Sequence, residues 1–213
     1  MNIGVIGTGD IGAVIIRKLR HAGYAVKMAN TRGPESLKDL AANTGAIPVS
    51  VEQVVQDVDI LFIVVPQRSI PGLPKGLLNK AKKETIVIDV GNYYSWRDGR
   101  IDEIESGLTD SAWVERQIGR PVVKVLNSIG SKSLAGAGRL HGSRDRVALP
   151  ISGDNPKAKE IVAQLIDRIG FDSVDAGTIA ESWRQQPGSP VYCVNPTKEE
   201  LQQWLKNVDR YND

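Results

Sequence analysis

Residues 3–12 read IGVIGTGDIG, an apolar run that leads into three glycines. The apolar run predicts a short strand, and apolar residues then recur at helical spacing as far as Leu19. In this strand–turn–helix setting, Gly7 makes the tight turn, Gly9 lets the backbone approach a pyrophosphate, and Gly12 lets helix and strand pack closely. The free N–H groups of the helix start would face the anion. We therefore predict a dinucleotide site lined by Gly7, Thr8, Gly9, Asp10, Ile11 and Gly12.

The second informative stretch is Asn30-Thr31-Arg32, one strand–helix–strand unit further on. A site for NAD usually places an Asp or Glu here, which accepts a hydrogen bond from the ribose 2′-hydroxyl. A carboxylate would repel a 2′-phosphate, whereas the planar guanidinium of Arg32 can bind one through two parallel hydrogen bonds. The triplet therefore predicts that the dinucleotide is NADP(H).

Strand and helix patterns alternate from the N-terminus to Leu126. Residues 59–65 and 85–90 are nearly continuous apolar runs, as in strands that are covered on both faces. This alternation predicts an α/β fold with a doubly wound parallel sheet at residues 1–126, and a smaller C-terminal lobe at 127–213. The polar stretch 128–146 is long enough to suggest a functional or mobile loop.

Composition excludes several other functions. The chain has 213 residues, a formal net charge of +2 and one cysteine, Cys193, so intrachain disulfides are excluded. We expect no nucleic-acid partner, because charge is nearly balanced and no basic run is interleaved with aromatic residues. There is neither a signal-peptide pattern nor an apolar run of about 18 residues. We therefore expect a cytoplasmic protein without a membrane partner.

In open α/β sheets, ligands bind at the carboxyl ends of the strands. Val65 and Pro66 follow the fourth predicted strand, and Asn92 and Tyr93 follow the fifth. We expect Val65, Pro66 and Asn92 to border the nicotinamide and its ribose. The residues after the sixth strand would face a second substrate across the same cleft: Asn127, Ser128 and Ile129.

Acid–base residues are scarce in this sequence. Only His21 and His141 are histidines, and no cluster has the spacing of metal ligands. The sequence therefore identifies no catalytic residue and predicts no metal. Because hydride exchange between two stacked rings needs little acid catalysis, the scarcity favours that chemistry, although water or Tyr93 could still supply a proton.

The chain resembles the NADP reductases that use the deazaflavin coenzyme F-420, and more closely the bacterial dinucleotide-binding proteins related to them. Six stretches carry the resemblance: residues 1–12 (MNIGVIGTGDIG), 29–34 (ANTRGP), 64–66 (VVP), 122–129 (VVKVLNSI), 151–154 (ISGD) and 175–177 (DAG). The resemblance implies a Rossmann core, a small C-terminal lobe, a homodimer and a small-molecule redox partner. It also implies that Thr8, Thr31 and Arg32 hold the 2′-phosphate, and that Pro66 lies beside the nicotinamide.

The resemblance leaves the acceptor open. Asn127 stands where enzymes of that family tend to carry a histidine, and residues 183–188 also differ from theirs. We therefore predict an NADP(H)-dependent oxidoreductase that exchanges hydride with a flavin or a deazaflavin such as coenzyme F-420. Two alternatives remain: an NADPH-dependent reductase of a small imine or carbonyl, and a non-catalytic NADP(H)-binding sensor.

Overall fold

The structure, a computed structural model, describes residues 1–208 and contains two parallel sheets. The strands are β1 (Asn2–Ile6), β2 (Ala25–Ala29), β3 (Ile47–Pro48), β4 (Ile60–Ile63), β5 (Ile86–Asp89), β6 (Val122–Lys124), β7 (Ala148–Ile151) and β8 (Asp172–Asp175). The helices are α1 (Asp10–His21), α2 (Lys38–Thr44), α3 (Val51–Val54), α4 (Ser95–Asp98), α5 (Asp102–Glu105), α6 (Asp110–Ile118), α7 (Ser131–Gly136), α8 (Pro156–Arg168) and α9 (Lys198–Asn207). Short 3-10 helices occupy Pro34–Leu37, Gln67–Gly72, Leu77–Lys80 and Ile179–Gln185.

The main sheet has six parallel strands in the order β3-β2-β1-β4-β5-β6. Its strand order reverses beside β1, and helices cover both faces. Side chains of α1 and α8 pack against one face in a large apolar cluster, and those of α3 and α6 pack against the other. All four residues of β4 are buried, as the apolar run predicts. The predicted doubly wound α/β fold is confirmed.

The second sheet is the parallel pair β7-β8, joined by the crossover helix α8. Backbone bonds tie it to the main sheet: Lys124 N donates to Ser152 O at 2.8 Å, and Ser152 N donates to Lys124 O at 3.1 Å. The C-terminal part of the chain therefore meets the main sheet beside the carboxyl end of β6. The proposed boundary between residues 126 and 127 stays a prediction.

The polar stretch 128–146 is more ordered than its composition suggests. It contains α7, and its end is fixed by the buried side chain of Arg146. The guanidinium donates to Asp167 Oδ1 at 2.5 Å and to Asp172 Oδ1 at 2.7 Å. These two carboxylates offset the cost of burying its charge.

Within residues 1–208, no helix is both long enough and apolar enough to cross a membrane.

Candidate functional site

The glycine turn has the geometry that its three positions require. Gly7 has a φ of +103°, and a Cβ there would lie 2.1 Å from Val64 O. A Cβ on Gly12 would lie 2.0 Å from Gly7 O, whereas a Cβ on Gly9 would meet nothing within 4 Å. Gly7 and Gly12 are therefore fixed by packing. Gly9 faces open space at the start of α1, where no side chain caps the first N–H groups.

The loop after β2 is organised by Asn30. Its amide nitrogen lies 3.3 Å from Thr8 Oγ1 and 3.0 Å from Ser36 Oγ, while its Oδ1 accepts from Arg32 N at 2.9 Å. Asn30 thus links the glycine turn to the loop and is turned inward. The side chains of Thr31 and Arg32 are exposed, and no carboxylate among residues 1–208 forms an ion pair with Arg32.

The carboxyl ends of the strands border a cleft of about 370 Å³. Its lining includes many of the predicted site residues: Gly9, Asp10, Ile11, Gly12, Val65, Pro66, Asn92, Asn127 and Ile129. Gly7, Thr8, Ser128 and the 30–32 loop lie outside this lining. The cleft also contains residues that sequence analysis missed: Tyr94, Arg97, Gly130, Ser131, Tyr192 and Cys193. Cys193 is an exposed free cysteine.

A buried ion pair supports the floor of the cleft. Asp89 and Lys124 are directly opposite each other in the β5–β6 pairing, and both side chains are at most 1% exposed. Lys124 Nζ lies 3.4 Å from Asp89 Oδ2 and donates to Gly91 O and Ser111 Oγ, both at 2.9 Å. Asp89 also accepts from Gly91 N at 2.9 Å and from Ser111 Oγ at 2.6 Å. Two of these five contacts hold the N–H and C=O of Gly91, the residue before Asn92, and the other three join the supporting side chains.

A ladder of amide side chains forms the wall behind Asn92. Asn127 Nδ2 donates to Asn92 Oδ1 at 2.9 Å and to Gln185 O at 2.7 Å, and its Oδ1 accepts from Gln185 Nε2 at 2.8 Å. Leu126 precedes this ladder with a φ of +66°, a conformation that is costly for a branched side chain. Asn127 is 3% exposed and its amide groups are occupied, so the geometry gives it a role in positioning Asn92.

Asp110 lies beneath the same loop and is 1% exposed. Its carboxylate accepts from Tyr93 N at 2.9 Å and from Gln186 Nε2 at 2.6 Å. Burial raises the pKa of Asp110 to about 6, although the positive charge of Lys124 acts in the opposite direction.

Tyr94, rather than Tyr93, faces the cleft. The Tyr93 hydroxyl donates to Glu105 Oε1 at 2.6 Å and accepts from Ile101 N at 3.2 Å, outside the cleft lining. The expectation that Tyr93 supplies a proton is therefore not supported. The Tyr94 hydroxyl is hydrogen-bonded to that of Tyr192, which comes from the C-terminal part of the chain. In the sequence, only the position of Tyr94 after a predicted strand could have suggested that it lines the cleft. No sequence signal identifies Tyr192 as a cleft residue.

Comparisons with known proteins agree with this architecture. Residues 2–93 match the family described as NADP oxidoreductase coenzyme F420-dependent. Over 54 residues, 25% of this chain, the sequence is 52% identical to the protein YjhV of Escherichia coli K12, and the match spans only 39% of that relative.

Solved structures share the fold over most of the chain. A hypothetical protein from Sinorhizobium meliloti is similar with a TM-score of 0.78 at 27% identity, covering 93% of this chain and 96% of that one. A candidate F420-dependent NADP reductase from Arthrobacter sp. FB24 gives a TM-score of 0.69 at 23% identity, covering 86% and 87% of the two chains. An imine reductase from Pseudomonas gives 0.56 at 18% identity, and the match covers 95% of this chain but 60% of that one.

Proposed function

We propose that this protein moves hydride between NADP(H) and an acceptor bound in the cleft. Residues 2–93, which match the family of coenzyme F420-dependent NADP oxidoreductases, support the proposal. The observation that carries the proposal is the continuity of the cleft, which runs from the open space at Gly9 to Asn92. A dinucleotide with its pyrophosphate at the start of α1 would then have its nicotinamide beside Pro66 and Asn92.

The loop after β2 supports NADP(H) over NAD(H). Asn30 holds the backbone at Arg32, whose guanidinium is exposed and unpaired within residues 1–208. The Arg32 guanidinium and the Thr31 hydroxyl are therefore both available to bind a 2′-phosphate. Residues 30–34, which directly follow β2, include no Asp or Glu to accept from a ribose 2′-hydroxyl.

A flavin or deazaflavin is the first candidate for the acceptor, on the strength of the family match and of the rim of the cleft. Tyr94 lines the cleft, and the ring of Trp96, which is 81% exposed, lies 5.6 Å from the Tyr94 ring. Exposed aromatic surface of this kind can stack on a planar ring system. The bound nicotinamide would supply the hydride, and the cleft walls would hold the two rings in register.

A small imine or carbonyl is the second candidate, and the hydroxyl groups of Tyr94 and Tyr192 favour it. Reduction of an isolated C=N or C=O bond needs a proton donor beside the hydride donor, and both tyrosines line the cleft. Homodimer formation and a cytoplasmic location stay predictions.

The test begins with calorimetric titration of the purified protein with NADPH and NADH. We expect NADPH to bind at least about tenfold more tightly, a difference of roughly 1.4 kcal/mol. The NADPH complex is then mixed anaerobically with FMN, coenzyme F420 or 1-pyrroline, and the loss of NADPH absorbance is measured. Oxidation of NADPH by FMN or coenzyme F420 supports the first candidate, and oxidation by 1-pyrroline alone supports the second. Tight binding without oxidation by any of them would indicate a sensor and contradict the proposal.

A further inference from the structure

Two phenol groups meet in the cleft, and they come from distant parts of the chain. Tyr94 lies in the loop after β5, whereas Tyr192 lies in the irregular segment before α9. Their hydroxyls are hydrogen-bonded to each other, and both rings are half-buried. The C-terminal part of the chain therefore completes the cleft with a polar group that can ionise.

The hydroxyls of Tyr94 and Tyr192 carry one hydrogen more than their mutual hydrogen bond uses. Two phenols carry two O–H hydrogens, but only one of these is used in their mutual hydrogen bond. Asn92 Nδ2 lies 3.4 Å from the Tyr192 hydroxyl and can only donate, so it cannot accept the second hydrogen. Among residues 1–208, the other group that acts on Tyr192 is the thiol of Cys193, a weak acceptor. One phenolic hydrogen is thus available to a ligand.

We propose that Tyr94 and Tyr192 together donate the proton that accompanies hydride transfer to the acceptor. This inference rests on the proposed NADP(H) site. It defines the acceptor as a compound with a C=N or C=O double bond, isolated or conjugated within a ring, whose nitrogen or oxygen becomes negative as hydride arrives. It replaces the interpretation, drawn from the scarcity of histidines, that the site lacks an acid.

The step balances in electrons and protons. Bound NADPH supplies a hydride, whose electron pair forms the new bond to the acceptor and leaves NADP⁺. In an isolated double bond, the π-electron pair moves to the nitrogen or oxygen of that bond; in a conjugated ring it moves through the conjugation to a ring nitrogen or carbonyl oxygen. The atom that becomes negative takes a proton from the phenol pair. The phenolate that remains recovers a proton from solvent water.

Charged groups around the pair suit this role. The Arg97 guanidinium lies 4.9 Å from the centre of the Tyr94 ring and is itself paired with the buried carboxylate of Asp98. Its positive charge can stabilise negative charge that develops on the phenols. Burial, and then the hydrogen bond with Tyr94, raise the pKa of Tyr192 well above its usual value. Tyr192 therefore keeps its proton at neutral pH.

The experiment compares Tyr94→Phe and Tyr192→Phe with a control, Tyr24→Phe, at a tyrosine that is 7% exposed and lies just before β2, outside the cleft lining. We expect all three variants to bind NADPH within about twofold of wild type. In single-turnover mixing with FMN, coenzyme F420 and 1-pyrroline, the two cleft variants should transfer hydride about 10²- to 10⁴-fold more slowly with whichever acceptor wild type reduces. The control should keep the wild-type rate.

Two further readouts separate proton donation from a structural role. The slow rate of the cleft variants should fall as pH rises, because the proton must then come from solvent, while the wild-type rate stays level between pH 7 and about 9. In an absorbance titration of tyrosinate formation, wild type should contain a tyrosine that ionises above the usual tyrosine range. Tyr192→Phe should lack that tyrosine.

Wild-type rates in both cleft variants would overturn the proton-donor assignment and leave the NADP(H) site standing. Equal losses with a level pH profile would also overturn it, because they indicate a packing defect. Failure of wild type to bind NADPH would instead overturn the proposed function on which the inference rests. NADPH binding without turnover of any acceptor would refute hydride transfer, and proton donation with it.

Discussion

Replacing Lys124 with Met removes one partner of the buried pair beneath the cleft. In wild type the ammonium is fully buried and contacts Asp89, Gly91 O and Ser111 at 3.4, 2.9 and 2.9 Å. Lys124→Met keeps the length of the side chain but leaves the Asp89 carboxylate without its counter-charge. It also leaves Gly91 O without this donor.

Loss of one member of a buried ion pair typically costs about 3–5 kcal/mol, because the remaining charge stays out of water. At about 2–4 °C for each kcal/mol in a chain of this size, the melting temperature should fall by roughly 6–20 °C. Adding Asp89→Asn removes the orphaned charge and keeps an acceptor for Gly91 N. The double variant should therefore recover at least about half of the loss.

Urea unfolding measures these differences directly, and Lys157→Met, at an exposed lysine on α8, is the matched control. We expect the control to lie within about 0.5 kcal/mol of wild type. The reasoning is refuted if Lys124→Met also lies within that range, or if the double variant is less stable than the single one.

Three other predictions concern the cofactor site and the buried acid. Arg32→Ala should weaken NADPH binding about 10- to 100-fold, roughly 1.5–3 kcal/mol for a charge-assisted contact, and leave NADH binding unchanged in calorimetry; equal losses would contradict the 2′-phosphate assignment. Gly9→Ala should unfold at the wild-type temperature yet bind NADPH poorly. Gly12→Ala, whose Cβ would lie 2.0 Å from Gly7 O, should lower the free energy of unfolding by several kcal/mol. Equal stabilities of the two variants would show that the packing argument is wrong. The Asp110 carboxyl keeps its proton up to about pH 6 when folded but only to about 3.8 when unfolded, so its burial favours folding at low pH and this contribution is lost as pH rises through 6. Asp110→Asn should therefore stabilise the protein relative to wild type more at pH 8 than at pH 4, by up to about 3 kcal/mol in urea unfolding, and an effect independent of pH would contradict this.

The main sheet could be predicted because its signals are local. The glycine turn at residues 7–12 and the apolar run of β4 each encode a structure that depends on neighbouring residues in the chain. The start of α9 is also a local signal, since the Thr197 hydroxyl accepts from Glu200 N. Residues Pro34–Leu37 form a 3-10 turn that leads into α2.

The cleft was harder to predict because its walls come from distant segments. Asn127 looked like a contact for a second substrate, yet its amide is occupied by Asn92 and Gln185, a residue 58 positions away. The contact between Tyr94 and Tyr192 spans 98 positions and has no local pattern. Long-range contacts of this kind depend on how the C-terminal segment folds back over the sheet.

One buried feature did leave a usable signal. Asp89 and Lys124 are single charges inside two apolar strands, and such charges are rarely buried without a partner. Because β5 and β6 are adjacent, pairing the two residues would have predicted both the register and the support of Gly91.

A crystal structure of the protein with NADP⁺ tests the central claim most directly. We predict the pyrophosphate at Gly9 and the start of α1, and the 2′-phosphate within about 3 Å of the Arg32 guanidinium. The nicotinamide should lie between Pro66 and Asn92, facing the hydroxyls of Tyr94 and Tyr192. A nicotinamide outside the cleft, or a 2′-phosphate that does not contact Arg32, would contradict the account.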